Sequence, residues 1–352
     1  MSPPSPKQPF VSGVVHTSVG AIPQVKSSLT WRDHLGTIKV RCSVGRNNYT
    51  VEPGLYALES PDDKSPVFVT SNYKLSFDHL RKDLPGRNAW ILVLDTDGIN
   101  VWCAAGKGSF GTDELVRRIE SSNLAQVVSH REIILPQLGG PGIASLQIKK
   151  RSGFKAIYGP IRSQDLPAFM DAGLKATPEM RQKAFPIQER AVLIPVELVS
   201  ALKYALMIIF AFFFLGGLFG GNQVWHNALN AGIFAGITLF MGILAGAVLT
   251  PLLLPWLPGR AFALKGLVMG LIVGSAFLLF GGTIQGNAAL LENISQFFLI
   301  QAVAVFLAMN FTGSSTYTSL SGVRKEMKWA VPPEIGAVII GLGFWLGSQL
   351  IS

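Results

Sequence analysis

Trp90-Ile91-Leu92-Val93-Leu94-Asp95-Thr96-Asp97-Gly98 decides the architecture of the front of this chain. The apolar, branched run over 90–95 is the pattern of a strand buried on both faces. Asp95-Thr96-Asp97-Gly98 then supplies turn chemistry. Working outward, residues 37–42 alternate like a strand, and 126–129, 132–135 and 155–158 read as further short strands. Thr112 can cap a short helix, with Asp113 and Glu114 in its first turn and Leu115, Val116 and Ile119 on one face. Residues 164–172 and 178–185 have helical patterns. Strands alternating with helices predict an α/β, Rossmann-like sheet whose ligands sit beyond the strand carboxyl ends. The segment 95–107 lies at such an end.

That segment contains Asn100-Val101-Trp102-Cys103-Ala104-Ala105-Gly106-Lys107, which holds one of only 2 cysteines. Two thiols, Cys42 and Cys103, are too few for a disulfide scaffold or a four-cysteine cluster. Cys103 suits a single soft ligand to one metal centre, with small neighbours leaving room for a bulky cofactor. The blander reading is a buried core thiol in a tight turn, the commonest fate of a free cysteine. Cys42, on an alternating run, reads as packing. A phosphate-cradling loop is excluded, because Gly106-Lys107 is followed by Gly108 and position 101 is valine. His16, His34, His79, His130 and His226 read as surface or structural residues, without the spacing of a metal pair or a catalytic triad.

Composition divides the 352 residues in two. Only 14% are charged, and all but ten of those precede Pro195. The net charge of +9 belongs to the front half and to the span edges, with no basic stripe interleaved with aromatics that would read nucleic acid. An anionic lipid surface or anionic cofactor is the expected counterpart. After Pro195 come five apolar stretches, 198–220, 228–250, 261–283, 294–312 and 332–351. Each is about the ~20 residues needed to cross a bilayer. Gly216, Gly217, Gly236, Gly242, Gly246, Gly270 and Gly274 would let such helices pack closely.

Basic residues set the orientation. Lys183, Arg190 and Lys203 flank the first span, Arg260 and Lys265 open the third, and Arg324, Lys325 and Lys328 precede the fifth. The loops 221–227 and 283–293 have neither Lys nor Arg. The front half is therefore expected in the cytosol and the C-terminus outside, in a multi-pass cytoplasmic-membrane protein. Lys203 and Lys265 are expected to snorkel at span ends, and the spans to act as an anchor. The Pro/Ser-rich N-terminus lacks the apolar run of a secretory signal. The expected division is a mobile segment at 1–35, a cytosolic cofactor-binding domain at 36–190 and an all-α, five-helix transmembrane domain at 191–352.

Position by position, Asn100 to Lys107 resembles the Asn-Val/Ile-Trp-Cys-Ala-Ala/Ser-Gly-Lys signature of the membrane-anchored corrinoid proteins that methylate mercury in anaerobic microbes. Leu92-Val93-Leu94-Asp95-Thr96-Asp97-Gly98 and Ile134-Leu135-Pro136-Gln137-Leu138-Gly139 look like the corrinoid domain of the acetyl-CoA-pathway corrinoid iron–sulfur proteins. The shared segment is about 85–160. The histidine-ligand corrinoid motif, Asp-x-His-x-x-Gly, is absent: Asp33-His34 and Asp78-His79 are adjacent pairs.

The resemblance implies a corrinoid-binding, Rossmann-like domain with a short cap helix. It implies a cobalt corrinoid bound base-off, with the Cys103 thiolate as lower axial ligand and all eight residues contacting the cofactor. Ala104, Ala105, Gly106, Gly108 and Gly111 would clear bulk beneath the macrocycle, with Trp102 as an apolar plate. Asn100 would bond ring amides or its own turn, and Lys107 a tail phosphate or the thiolate. The implied activity is methyl transfer, as a carbanion equivalent, from methyl-Co(III) corrinoid to Hg(II), forming methylmercury. Remethylation would come from a methyltetrahydrofolate pathway, and electrons from a ferredoxin-like partner with two [4Fe–4S] clusters. Two alternatives stand beside this: a corrinoid methyl carrier of one-carbon and acetyl-CoA metabolism, and a membrane receptor or scaffold without turnover.

Overall fold

The structure, a computed structural model, describes residues 3–218, 223–280, 286–311 and 320–351. The chain divides into two compact units. Met1–Val40 with Val44–Ala184 form the first, and Phe185–Ser352 is the body of the second.

The first unit is an α/β sheet domain. Its strands are β1 (Gly13–Thr17), β2 (Gly20–Val25), β3 (Gly54–Leu58), β4 (Val67–Ser71), β5 (Ala89–Leu94), β6 (Glu132–Leu135) and β7 (Lys155–Tyr158). Its helices are α1 (Trp31–Arg41), α2 (Lys74–Lys82), α3 (Val101–Lys107), α4 (Thr112–Ser121), α5 (Leu124–Val127), α6 (Ser145–Ser152) and α7 (Leu166–Asp171). The strand order is β1-β2-β3-β5-β4-β6-β7. β5, β4, β6 and β7 run parallel, whereas β3 pairs antiparallel with β5 and β1 antiparallel with β2, so the sheet is mixed.

Every residue of β3, β4 and β5 is buried, as helices cover both faces. On one face Trp90, Leu92 and Leu94 pack with Ala104, Phe110, Leu115 and Ile119 from α3, α4 and the loop between them. On the other, Ile91 and Val93 pack with Phe77 and Leu80 of α2 and Phe169 of α7. The sequence-derived strands at 90–95, 132–135 and 155–158 fall on β5, β6 and β7.

Four local readings differ. Residues 37–41 are helical, as the end of α1, and Cys42 follows in a turn. A capping box starts that helix: Thr30 N and Thr30 Oγ1 donate to Asp33 Oδ2, both at 2.9 Å. Asp33 also pairs with Lys74 and Arg81 of α2, so tertiary anchoring overrides the alternation. Residues 126–129 fall in and after one helical turn, begun by Asn123 in a left-handed conformation (φ 47°). Thr112 does not cap α4, because its Oγ1 accepts from Ala144 N (2.9 Å) and Gly111 occupies the cap position. Residues 178–185 contain only a 3-10 turn at Glu179–Arg181. The segment expected to be mobile at 1–35 contributes the hairpin β1–β2, whose Ile22 and Val25 are buried.

The second unit is helical: α8 (Ile187–Ala191), α9 (Ile194–Leu218), α10 (Val224–Ile243), a π-helical segment at Leu244–Leu249, α11 (Thr250–Leu253), α12 (Phe262–Phe280), α13 (Asn287–Phe311) and α14 (Leu320–Ile351). Among the described residues, five stretches are long and apolar enough to cross a membrane: Ile187–Leu218, Val224–Leu253, Phe262–Phe280, Asn287–Phe311 and Gly322–Ile351. Residues 221–222 and 283–285 of the two loops without Lys or Arg lie outside the described residues, as do the ends of several expected spans. Glycines mark the close approaches. A Cβ on Gly246 would lie 2.6 Å from the Ala304 carbonyl oxygen, and one on Gly266 would lie 2.6 Å from Ala308 Cβ. Lys203 is exposed, but Lys265 does not snorkel. It is buried, and its Nζ donates to the carbonyls of Leu254 and Leu257, each at 2.7 Å, satisfying the end of α11.

Candidate functional site

The Cys103 segment is built on the carboxyl ends of β4, β5 and β6. β5 ends at Leu94, and Asp97 (φ 56°) and Gly98 (φ 69°) turn the chain in two successive left-handed steps. A Cβ on Gly98 would lie 2.7 Å from Thr50 Cγ2, so glycine meets both the dihedral and the space requirement. Asn72, just past β4, fixes this turn. Its Oδ1 accepts from Thr96 N (3.1 Å) and Gly98 N (3.0 Å), and its Nδ2 donates to Asp95 Oδ1 (3.2 Å). Thr96 is fully buried, and its hydroxyl reaches Ile99 O at 2.7 Å.

Asn100 is the N-cap of α3. Its Oδ1 accepts from Cys103 N at 2.9 Å, fixing the backbone that carries the thiol. Gly108, in a left-handed conformation (φ 89°), ends the helix. The cysteine motif is therefore a helix with two faces. Val101, Ala104 and Ala105 point into the core, with Ala104 fully buried. Trp102, Gly106 and Lys107 are exposed, and Cys103 is half-buried beside them.

Small residues serve two purposes here. The 3-10 turn Gln137–Gly142 after β6 packs against α3. A Cβ on Gly142 would lie 2.1 Å from Phe110 O and 3.2 Å from Ala105 Cα, and one on Gly139 would lie 2.5 Å from the Phe110 ring. Ala104, Ala105 and Gly111 are small because the fold is tight at those points, which departs from the expectation that they face a cofactor. Gly106 and Gly108 are different: a Cβ at either would meet nothing within 4 Å. The open ground beside Cys103 is thus Trp102, Gly106, Lys107 and Gly108.

A polar pocket of about 540 Å³ opens beside the end of α3, lined by Asp95, Asp97, Ser109, Glu114, Arg117 and Arg118 among others. Glu114 Oε1 accepts from Asp95 N (2.9 Å) and pairs with Arg118 Nη2 (2.6 Å). Nearby, burial raises the pKa of the Tyr158 phenol, whose hydroxyl donates to Ile143 O (2.9 Å). Asn72, Glu114 and the 139–142 glycines were not singled out from sequence as site residues. An asparagine directly after a strand was the one available signal for Asn72.

Both cysteines are free thiols. Among the described residues no three His, Cys, Asp or Glu side chains gather as a metal cage. Chemically, the arrangement offers one half-exposed sulfur on a fixed backbone, a flat apolar ring beside it and uncrowded space above. That combination suits a wide, planar cofactor that brings its own equatorial ligands.

Residues 24–170 match the family model described as CO dehydrogenase/acetyl-CoA synthase delta subunit. The chain is 34% identical over 145 residues to the acetyl-CoA decarbonylase/synthase complex subunit gamma of Methanocaldococcus jannaschii, covering 40% of this chain and 29% of that protein. With the corresponding subunit of Archaeoglobus fulgidus it shares 32% identity over 130 residues, 36% of this chain and 27% of the relative. With subunit gamma 2 of Methanosarcina thermophila it shares 33% over 132 residues, again 36% and 27%. The five apolar helices lie beyond the matched family segment. The sheet unit of this chain is thus homologous to subunits of the acetyl-CoA decarbonylase/synthase complex, and the chain spans less than a third of the length of those relatives.

Proposed function

We propose that this chain is a membrane-anchored corrinoid protein that transfers methyl groups to Hg(II), with Cys103 as the lower ligand to cobalt. The observation that carries the reading is the outward face of α3, where Cys103 stands beside Trp102, Gly106 and Lys107 with open space over the glycine. A flat macrocycle needs such ground, and the family match over 24–170 supports a one-carbon role for the domain beneath it.

A corrinoid held by Cys103 would supply a cobalt-carried methyl group, and the thiolate would be an electron-rich ligand suited to passing that methyl to an electrophile. The chain's own residues set the ligation. The Cys103 sulfur must lose its proton, since the thiolate is the metal-binding form. Asn100 holds the Cys103 backbone by its capping bond, so the sulfur is presented from a fixed position. Trp102, exposed on the same helix, would offer the cofactor an apolar plate. Lys107, one helical turn from Cys103, offers positive charge to the thiolate or to a phosphate on the cofactor's tail. Hg(II), a soft cation, is the acceptor that a carbanion-like methyl suits.

The rest of the system follows from the same proposal. The methyl group would arrive from a methyltetrahydrofolate pathway and electrons from a ferredoxin-like protein with two [4Fe–4S] clusters. The five apolar helices anchor the protein in the cytoplasmic membrane, with the corrinoid domain in the cytosol and the C-terminus outside. The distribution of Lys and Arg around the spans supports that orientation.

A second reading has its own support: the relatives are subunits of the acetyl-CoA decarbonylase/synthase complex, which favours a methyl carrier whose acceptor lies in acetyl-CoA chemistry. Cys103→Ala in the full chain separates the cases when assayed with both acceptors. We expect it to be made at wild-type levels and to lose methylation of Hg(II). Undiminished methylmercury formation would refute the ligand role, and methyl transfer by wild type only to an acetyl-CoA synthase would favour the carrier.

A further inference from the structure

One helix of the sheet unit turns its apolar side outward. Among the described residues of that unit seven large hydrophobic side chains are exposed, and four of them, Trp31, Leu35, Ile38 and Val44, fall in one short stretch. Trp31, Leu35 and Ile38 stand at i, i+4 and i+7 of α1, so they form a single stripe along it. Trp31 is 70% exposed and Ile38 55%, whereas Asp33 and Val40, on the opposite side, are buried against the unit. The stripe continues past the helix end to Val44, which is 59% exposed. An ordinary surface helix is arranged the other way round, with its apolar stripe toward the core.

The polar residues beside the stripe carry positive charge. Arg32 and Lys39 are exposed along one side of it, and His34 is exposed along the other. The one acidic residue in 31–46, Asp33, is turned inward, where it pairs with Lys74 at 2.7 Å and with Arg81 at 2.9 Å. Those pairs also fasten α1 to α2, so the stripe is held by the fold and is not borne on a loose arm. After α1 the chain reaches Asn47 and Thr50, which lie against the turn before α3. A Cβ on Gly98 of that turn would lie 2.7 Å from Thr50 Cγ2 and 3.3 Å from Asn47 O. The exposed stripe and the Cys103 helix therefore belong to one piece of structure.

Size and charge decide what covers the stripe. A stable protein interface draws on about 20–30 residues a side, and one face of an 11-residue helix supplies far fewer. A lipid surface needs no matching shape. It takes an apolar face flanked by basic residues, with tryptophan at the level of the headgroups. Under the anchoring proposed above, the five apolar helices keep a bilayer within reach of the sheet unit. Anionic headgroups complement the charges of Arg32 and Lys39. We propose that α1 lies in the headgroup layer of an anionic membrane, with Trp31, Leu35 and Ile38 inserted toward the acyl chains and Arg32 and Lys39 on the lipid phosphates. The inference rests on the membrane anchoring and is independent of the chemistry proposed at Cys103.

The test uses the full chain in nanodiscs of phosphatidylcholine with phosphatidylglycerol, carrying Cys42→Ala and Cys103→Ala so that no native thiol remains. Nitroxide labels are attached after Leu35→Cys or Ile38→Cys on the stripe. Leu146→Cys, at an 84% exposed position on α6, supplies the reference in water, and Ile233→Cys, at an exposed position on α10, the reference in lipid. Collision of each label with oxygen, which gathers in lipid, is compared with collision with a water-soluble nickel chelate. The labels on α1 should favour oxygen over nickel roughly threefold or more relative to the label on α6. Each basic residue near an anionic surface counts about fivefold, so Arg32→Glu with Lys39→Glu should shift the balance of lipid-facing to water-facing label more than tenfold toward water. Should one labelled variant not assemble, the other decides. Labels on α1 as wet as that on α6, with the α10 label in lipid, would overturn the docking and leave the anchoring intact. Shielding of the α1 labels from both reagents would assign the stripe to a protein partner instead, and indifference to the charge reversal would equally refute the proposal. A wet label on α10 would overturn the anchoring, and the docking with it.

Discussion

Replacing Gly106 separates cofactor clearance from folding. Within α3 a Cβ at this position meets no heavy atom within 4 Å, so alanine costs nothing sterically. Glycine inside a helix is less favourable than alanine by about 0.8–1 kcal/mol, so Gly106→Ala should leave stability unchanged or raise it by up to about 1 kcal/mol. Gly106→Leu should also fold, because its side chain projects outward. It nevertheless fills the ground next to Cys103, three residues away on the same helix. Unfolding of the purified full chain without cofactor should therefore show no loss for either variant. Corrinoid retention, followed by visible absorption after anaerobic desalting, should fall at least tenfold for leucine, equivalent to about 1.4 kcal/mol. A stable Gly106→Leu protein that binds corrinoid as tightly as wild type would show that the outward face of α3 is not the cofactor face.

Other outcomes follow from the same structure. Gly142→Ala puts a methyl 2.1 Å from Phe110 O and should destabilise the sheet unit by about 1–3 kcal/mol, read as a lowered denaturation midpoint. Asp33, Lys74, Asp78 and Arg81 form a buried network with contacts of 2.7–2.9 Å. Burial alone would raise the Asp33 pKa, but the hydrogen bond from Lys74, that from Thr30 and the charges of Lys74 and Arg81 hold it well below the usual carboxylate range. Its contribution is thus full above the unfolded value of about 3.9 and is lost as pH falls below it. Asp33→Asn should cost about 3–5 kcal/mol at neutral pH, with the difference from wild type shrinking in acid unfolding titrations. Lys265→Met leaves the Leu254 and Leu257 carbonyls without their donor. It should lower thermal stability in detergent by about 1–3 kcal/mol per carbonyl, and Lys265→Arg should recover part of it.

What was legible in the sequence was what periodicity and chemistry encode locally. β5 was readable because a strand covered on both faces is continuously apolar, and the spans because their length matches a bilayer. The two segments carrying the family resemblance, one through Gly98 and one through Gly139, do meet at α3. The β1–β2 hairpin escaped notice because short strands with only partial burial alternate weakly. α1 was misread because its helix is secured by Asp33 reaching Lys74 and Arg81, partners some forty residues away. The two faces of the cysteine helix were equally hidden: Ala105 and Gly106 are adjacent small residues, and only Phe110 and Gly142 show that one is packed and the other open.

The sheet ends on either side in short strands, five residues in β1 and four in β7. β7 ends its side of the sheet with Lys155 paired to Glu132 at 3.0 Å, a charged border unsuited to receiving a foreign strand. Under the membrane anchoring proposed above, this brevity would have a particular value. Tethering to a surface keeps neighbouring copies close for long periods, raising their effective concentration well above that of freely diffusing molecules. Long, flat, apolar borders would zip together under such crowding, and these do not invite it.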